Sequence, residues 1–221
     1  SLGISRVKLT GGEPLLRKEI VEIVHGISEL EGLTDLSMTT NGTHLKALAI
    51  DLKNAGLCRV NISLPTLDPD VYNEVMGGNL KDALDGVKAA VEAGIQPVKL
   101  NMLVLKNINA DEIERMISFA AQTGTILQMI ELEPINLSKE YYALHHLGLD
   151  EIAQKLEKLA LDTMIREFMQ KRRVYILPKV KVELIRPIEN TEFCANCTRI
   201  RVTSDGKLKP CLMRKDNLID L

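Results

Sequence analysis

The sequence predicts an α/β fold built on a parallel sheet, either open or curled into a barrel, and three observations carry that prediction. Four β-like runs between Arg6 and Leu105 are each followed by an amphipathic helical stretch, and a fifth run follows at Ile126; such alternation calls for right-handed crossovers and parallel strands. Gly56, Gly94 and Gly124 each follow one of those helices, where a left-handed cap is expected. Each of the first four strands also has one polar and one apolar face. The polar faces carry Arg6, Lys8 and Thr10, then Ser37, Thr39 and Asn41, then Asn61 and Ser63, then Lys99 and Asn101. Parallel sheets are rarely wet on one side, and an ordinary barrel fills its interior with branched apolar residues. Charged inner faces therefore predict a lumen that holds an anion, because an unpaired buried Lys or Arg costs several kcal/mol.

In chain order, Arg6 to Thr10 is the first strand and Lys18 to Leu30 its helix, with Ile20, Ile23, Val24 and Ile27 at helical spacing. Thr34–Thr39 then Leu45–Asn54, Cys58–Leu64 then Leu80–Ala93, and Val98–Leu105 then Asp111–Gln122 repeat the unit, and Ile126–Leu132 is the fifth strand. The opposite strand faces, Val7 and Leu9, Leu36 and Met38, Val60, Ile62 and Leu64, and Val98, Leu100 and Met102, are expected to pack on the helices. Residues 1–133 form this first part. From Pro134 the alternation lapses, and residues 134–221 read as an extension. Asp150 to Phe168 is expected to be one helix with Asp150 as its N-cap. Arg173–Leu177 and Lys179–Arg186 form a hairpin turning at Pro178, and a cysteine-rich hairpin ends the chain.

A chain of 221 residues, 45% hydrophobic, can bury an ordinary core. Its net charge of −2 gives no reason to expect nucleic acid, so an anion site has to be a local cluster. No apolar run approaches the roughly 20 residues that span a bilayer, and SLGISRVKLT lacks a signal peptide's layout. A cytoplasmic location without a membrane partner is expected. The chain does not begin with Met, a strand starts almost at once, and KDNLIDL has no closing signal, so truncation at both ends is expected.

Three of the four cysteines lie in FCANCTRIRVTSDGKLKPCL, Phe193 to Leu212. Cys194 and Cys197 are two residues apart, and thirteen residues separate Cys197 from Cys211. In a reducing compartment this spacing points to a metal site rather than a disulfide. Arg199-Ile200-Arg201-Val202-Thr203 alternates, putting two guanidiniums and a hydroxyl on one face, and Ser204-Asp205-Gly206 supplies the turn. At the first strand's C-terminal edge, Thr10-Gly11-Gly12-Glu13-Pro14 offers close backbone approach and a carboxylate; Thr39-Thr40-Asn41-Gly42 and Asn61-Ile62-Ser63-Leu64 occupy the same edge, where ligand sites collect. Cys58 is read as a buried small hydrophobe, and His145 and His146 as surface residues of a polar connection.

KLTGGEPLLR, TTNG, RVNISL, VKLNMLVLKNIN and the terminal cysteine segment together resemble the GTP 3′,8-cyclase family of radical S-adenosylmethionine (radical SAM) enzymes, over nearly the whole chain. The resemblance implies a partial (β/α)6 TIM-like barrel lacking its first strand, with the extension's β-hairpin carrying a cluster site. It implies a lyase that converts GTP to 3′,8-cyclo-7,8-dihydro-GTP in the first step of molybdenum cofactor biosynthesis. An auxiliary 4Fe–4S cluster on Cys194, Cys197 and Cys211 would keep an iron open to the purine. Zinc is the alternative metal, although structural zinc normally closes its shell with a fourth ligand. Lys8, Thr39, Lys99, Arg199, Ile200 and Arg201 are implied to bind GTP, joined by Arg6 from the same strand face. Gly12 and Ser63 are implied to bind S-adenosylmethionine, with Gly11, Glu13 and Asn41 beside them and Glu133 where the family also touches that cofactor.

By the same resemblance, a homodimer is expected, with the product passing to cyclic pyranopterin monophosphate synthase (MoaC). The family's CxxxCxxC motif, which holds the second 4Fe–4S cluster, is absent from the given residues, so this chain alone is expected to be inactive. Gln128 stands where the family has a substrate-binding arginine, and a C-terminal Gly-Gly is absent. Another radical SAM enzyme with an auxiliary cluster, such as a peptide maturase, and a non-catalytic zinc-hairpin binding module are the alternative functions.

Overall fold

The computed structural model describes residues 3–166, 170, 172–187, 191–212, 214 and 216–220. Five strands, β1 (Arg6–Leu9), β2 (Asp35–Thr40), β3 (Arg59–Ser63), β4 (Val98–Val104) and β5 (Ile126–Glu131), pair side by side in sequence order, all parallel. Between them lie α1 (Ile20–Ser28), α2 (Leu45–Asn54), α3 (Pro69–Met76), α4 (Leu80–Glu92) and α5 (Ile113–Thr123). Gly56, Gly94 and Gly124 have φ of 103°, 73° and 67°. A left-handed residue ends or follows each of α2, α4 and α5, as the sequence requires.

The helix α3 was not expected, yet its signal is local. Asp68 caps it by accepting from the backbone N–H groups of Asp70 and Val71, Pro69 occupies the first turn, and Gly77 ends it.

After β5 come α6 (Lys139–His145) and α7 (Asp150–Leu159). The single helix expected from Asp150 to Phe168 is corrected here: it stops at Leu159, and Asp162–Ile165 is a strand, β6, antiparallel to β7 (Arg173–Ile176). Phe168 lies outside the described residues. Thr163 and Ile165 suit a strand, and pairing with β7 outweighs the helical spacing carried over from α7. Asp150 is not the cap either. Leu149 takes that position, and Asp150 sits in the first turn, 2.5 Å from Arg186.

The hairpin about Pro178 forms as read, with Ile176 opposite Lys181 and the Leu177 N–H donating to the Val180 carbonyl at 2.9 Å. Its second strand, β8 (Lys181–Ile185), also pairs parallel with β5, Gln128 beside Glu183. The eight-stranded sheet therefore runs β1-β2-β3-β4-β5-β8-β7-β6, six parallel strands and an antiparallel tail, across residues 133 and 134. Among the described residues no strand pairing joins β1 to β6, so the barrel is partial. A helical turn, α8 (Thr191–Ala195), leads to a separate two-stranded hairpin, β9 (Arg201–Val202) and β10 (Leu208–Lys209).

The core lies between sheet and helices: Leu36, Met38, Val60, Ile62, Val98, Leu100, Met102, Leu127 and Met129 are all buried. Cys58 does not join them. It is exposed just before β3, its Sγ 3.6 Å from the Gly56 carbonyl, because the strand begins only at Arg59 and Leu57 fills the core position at this turn. Among the described residues no helix is long and apolar enough to cross a membrane.

Candidate functional site

The polar strand faces converge into one charged lumen. Strand register sets Lys8 beside Ser37, Thr39 beside Asn61, Asn61 beside Lys99, Ser63 beside Asn101, Asn101 beside Gln128 and Gln128 beside Glu183. Glu183 is wholly buried and organises this face. Its Oε2 accepts from Lys99 Nζ at 2.7 Å and from Gln128 Nε2 at 2.5 Å, while Asn61 donates to the Gln128 carbonyl at 2.8 Å. Its other oxygen faces Arg166 Nε at 3.5 Å and Arg172 Nη1 at 3.7 Å. Burial opposes ionisation of Glu183, but Lys99, Arg166 and Arg172 outweigh it and hold the carboxyl below its ordinary range. Burial likewise pushes Lys99 down to about 8 against the pull of Glu183. Near neutral pH these shifts leave both groups charged, and their atoms meet at 2.7 Å.

Lys8 stays open to solvent at one side of this lumen. The enclosing walls strip water from its ammonium, and the charges of Arg59, Arg172, Lys99 and Arg199 add to that, bringing it down to about 8. Arg59 has its own partner, Asp35, in a two-pronged pair at 2.7 and 2.5 Å. Among the described residues Lys8, Lys99, Arg172 and Arg199 gather within electrostatic reach of one another, a grouping that attracts an anion.

The C-terminal edge of the first strands is a built loop. Glu13 accepts from the Leu15 N–H at 3.1 Å, from Thr40 Oγ1 at 2.6 Å and from the Asn41 N–H at 2.7 Å, tying the Gly-Gly turn to the end of β2. Asn41 Oδ1 accepts from the backbone and hydroxyl of Thr43 at 3.0 and 2.8 Å. Gly42, at φ 84°, is reached by α4: a Cβ on Gly86 would lie 2.0 Å from its carbonyl oxygen. Gly11 and Gly12 face open space, since a Cβ on either would meet nothing within 4 Å. Ser63 is half-buried at the same edge.

The cysteine hairpin reaches the lumen through its arginines. Arg199 lies within electrostatic reach of Lys8, Arg172 and Glu133, and Arg201 of Cys197, Cys211 and Glu133. Burial raises the Glu133 carboxyl, and the two arginines oppose that shift. Burial would also raise the Cys197 thiol, but hydrogen bonds from the backbone and guanidinium of Arg199, and from Gln170 Nε2 at 3.6 Å, bring it below its usual value. The Cys197 N–H donates to the Cys194 carbonyl at 3.1 Å, so these two cysteines share one turn. Thr203 closes the hairpin by accepting from the Lys207 N–H at 2.9 Å. Among the described residues no three His, Cys, Asp or Glu side chains are grouped closely enough to hold a metal. The donor chemistry fits a thiolate-held group, with Arg201 acting on two of the three sulfurs. Arg6 shares Lys8's side of β1, Thr39 lies beside Asn61 in the strand register, and Ile200 is exposed between the two hairpin arginines.

Glu183, Arg166, Arg172 and Gln170 were not singled out from the sequence. The signal was present for Glu183: Val180, Val182 and Leu184 alternate with it, which puts it on the polar face of a strand. The neutral Gln128 serves that carboxylate. His146 is not a plain surface residue. It is half-buried at the end of α6, 2.8 Å from the buried Glu131 and stacked on Tyr142.

The Radical SAM superfamily model matches residues 1–120, and the Molybdenum Cofactor Synthesis C model matches residues 125–221. Curated relatives include a "Probable GTP 3′,8-cyclase" of Thermococcus kodakarensis, 50% identical over 226 residues, and those of Methanothermobacter marburgensis, 47% over 228, and Methanococcus aeolicus, 43% over 221. Each alignment takes in 99% of this chain and 72–73% of the relative. Among solved structures, Streptococcus suis SuiB superposes at a TM-score of 0.66 with 17% identity, over 94% of this chain and 50% of that one; its S-adenosylmethionine complex gives 0.65. Those structures share the fold. With the sequence relatives and both family models agreeing along its length, the chain belongs to the GTP 3′,8-cyclase family of the radical SAM superfamily.

Proposed function

We propose that this chain binds GTP in its lumen and orients it for closure of a bond between ribose C3′ and guanine C8, the first step of molybdenum cofactor biosynthesis. The observation that carries the reading is the cation-lined lumen beneath an arginine-bearing cysteine hairpin, in a chain of this family. Lys8, Lys99, Arg199 and Arg201 take the phosphates, where planar guanidiniums match phosphate oxygens in pairs. Arg6, Thr39 and Ile200 complete the substrate wall. Gly11 and Gly12 leave backbone groups open to S-adenosylmethionine, Glu13 and Asn41 hold that turn in shape, and Ser63 and Glu133 lie along the same edge. Cys194, Cys197 and Cys211 hold an auxiliary 4Fe–4S cluster. When bound, the cofactors supply the radical chemistry. The residues of this chain fix the reacting atoms against one another and keep water out. A homodimer and transfer of the product to the cyclic pyranopterin monophosphate synthase belong to the same reading.

Anaerobic reconstitution with iron and sulfide tests the metal assignment. The expected product is brown, contains iron and acid-labile sulfide in equal amounts, and loses both in Cys197→Ala. A colourless protein that takes up one stoichiometric zinc contradicts it and favours a structural zinc hairpin.

A further inference from the structure

Gln170 lies between β6 and β7, and its amide reaches the cysteine hairpin. Its Nε2 donates to Cys197 Sγ at 3.6 Å, across 27 residues of sequence. Cys197 is exposed whereas Gln170 is buried, so this contact joins the hairpin to the wall beneath it. The amide has one orientation here. Arg172, itself buried, donates from Nη2 to Gln170 Oε1 at 2.8 Å, and a guanidinium has no acceptor to offer. The amide oxygen therefore faces Arg172, and the NH2 group is turned to the sulfur. Gln170 also has φ 69°, a left-handed conformation that a non-glycine residue adopts only when its surroundings hold it there. Glycine takes this backbone without strain. What glutamine adds is a side chain that links Arg172 to Cys197.

Cys197 receives further hydrogen bonds from the backbone and guanidinium of Arg199, within the hairpin itself. Those donors move with the hairpin. Gln170 is anchored elsewhere: β6 and β7 pair antiparallel in the main sheet, and Arg172 Nη1 lies 3.7 Å from the buried Glu183. A donor fixed to the sheet sets where the sulfur sits relative to the lumen. Hydrogen bonds to the ligand atoms of a metal site orient those ligands and, by drawing electron density from the sulfur, favour the reduced state.

We propose that Gln170, held by Arg172, is a positioning residue for the metal site: its N–H docks the Cys197 thiolate against the sheet and raises the reduction potential of the group bound there. The inference rests on the metal reading above and adds to it a ligand-orienting residue from outside the cysteine hairpin.

Two variants of the full chain separate this role from a place in a turn. Gln170→Gly relieves the left-handed backbone and removes the donor. Gln170→Glu keeps the size and the acceptor for Arg172 but puts a carboxylate oxygen where the NH2 group stood. Wild type and variants are reconstituted anaerobically with iron and sulfide, checked by thermal unfolding, and titrated for midpoint potential by electron paramagnetic resonance. Both variants are expected to fold, to have a more negative potential than wild type, with Gln170→Glu the lower, and to hold metal against a chelator about ten- to a hundredfold less tightly. Gln170→Asn, whose shorter amide still donates, is expected to lie between Gln170→Gly and wild type. An unchanged potential and chelator resistance in Gln170→Gly overturns the role while the metal reading stands. Cobalt(II) titration, read by its thiolate charge-transfer band, covers the case in which wild type takes up no iron and sulfide. Cobalt binding that weakens in both variants then supports the role of Gln170 and removes the iron–sulfur reading; cobalt binding that does not weaken overturns both. If wild type binds neither, both fail.

Discussion

The ammonium of Lys99 and the carboxylate of Glu183 meet at 2.7 Å across 84 residues of sequence, 2% and 0% exposed. Breaking such a pair strands a charge in a medium that solvates it poorly. The two ends are not equivalent, however. Glu183→Leu leaves Lys99, Arg166 and Arg172 without their shared anion, whereas Lys99→Met leaves Glu183 two arginines. Unfolding in denaturant is expected to show Glu183→Leu losing about 3–5 kcal/mol and Lys99→Met roughly half as much. Equal losses contradict the hub role given to Glu183.

Nucleotide affinity should fall as pH rises through 8. Lys8 and Lys99 both lie near 8 in the folded chain against 10.5 unfolded. The unfolded state then binds more protons between those values, so their contribution to stability rises with pH across that window. Anion binding runs the other way, because it favours the protonated ammoniums. GTP binding is expected to take up protons at pH 8–9 and to weaken there, with Lys8→Arg flattening the profile. A profile of wild-type protein that stays level from pH 7 to 9.5 contradicts this.

Much of the fold and part of the site was legible in the residues. Alternating strand faces placed Lys8, Asn61 and Lys99 on one side because a parallel sheet keeps its period of two across neighbouring strands. What stayed hidden depended on pairing distant in sequence. Nothing local shows that β8 docks beside β5, 55 residues from Gln128 to Glu183, so Glu183 read as one more residue of a hairpin. Arg166 read as part of a helix, because Ile152, Leu156 and Leu159 set a helical spacing that β6 then breaks. Arg172 followed from neither pattern, since its position is set by the turn between β6 and β7.

Gly86 is expected to tolerate no side chain. A Cβ there would lie 2.0 Å from the Gly42 carbonyl oxygen, and backbone has to move. Gly86→Ala gains helix propensity of up to about 1 kcal/mol but incurs overpacking of about 1–3 kcal/mol. A net drop in melting temperature, together with weakened S-adenosylmethionine binding through the displaced Asn41 loop, is the expected result. A melting temperature that rises contradicts the close approach.

Glu13 works first as a clamp on that loop. Glu13→Gln puts an N–H where the Asn41 N–H donates at 2.7 Å, or where Thr40 and Leu15 donate. One donor is left facing another, at about 1–3 kcal/mol. Chemical denaturation is expected to show that loss without any ligand present; full stability together with reduced cofactor affinity assigns Glu13 to direct contact instead.

The account centres on GTP held between the lumen cations and the hairpin arginines. Equilibrium titration of GTP into wild-type protein and the Arg199→Ala/Arg201→Ala double variant tests that most directly. Two lost guanidinium contacts predict a weakening of at least about a hundredfold, with S-adenosylmethionine affinity kept; an unchanged GTP affinity in the double variant contradicts it.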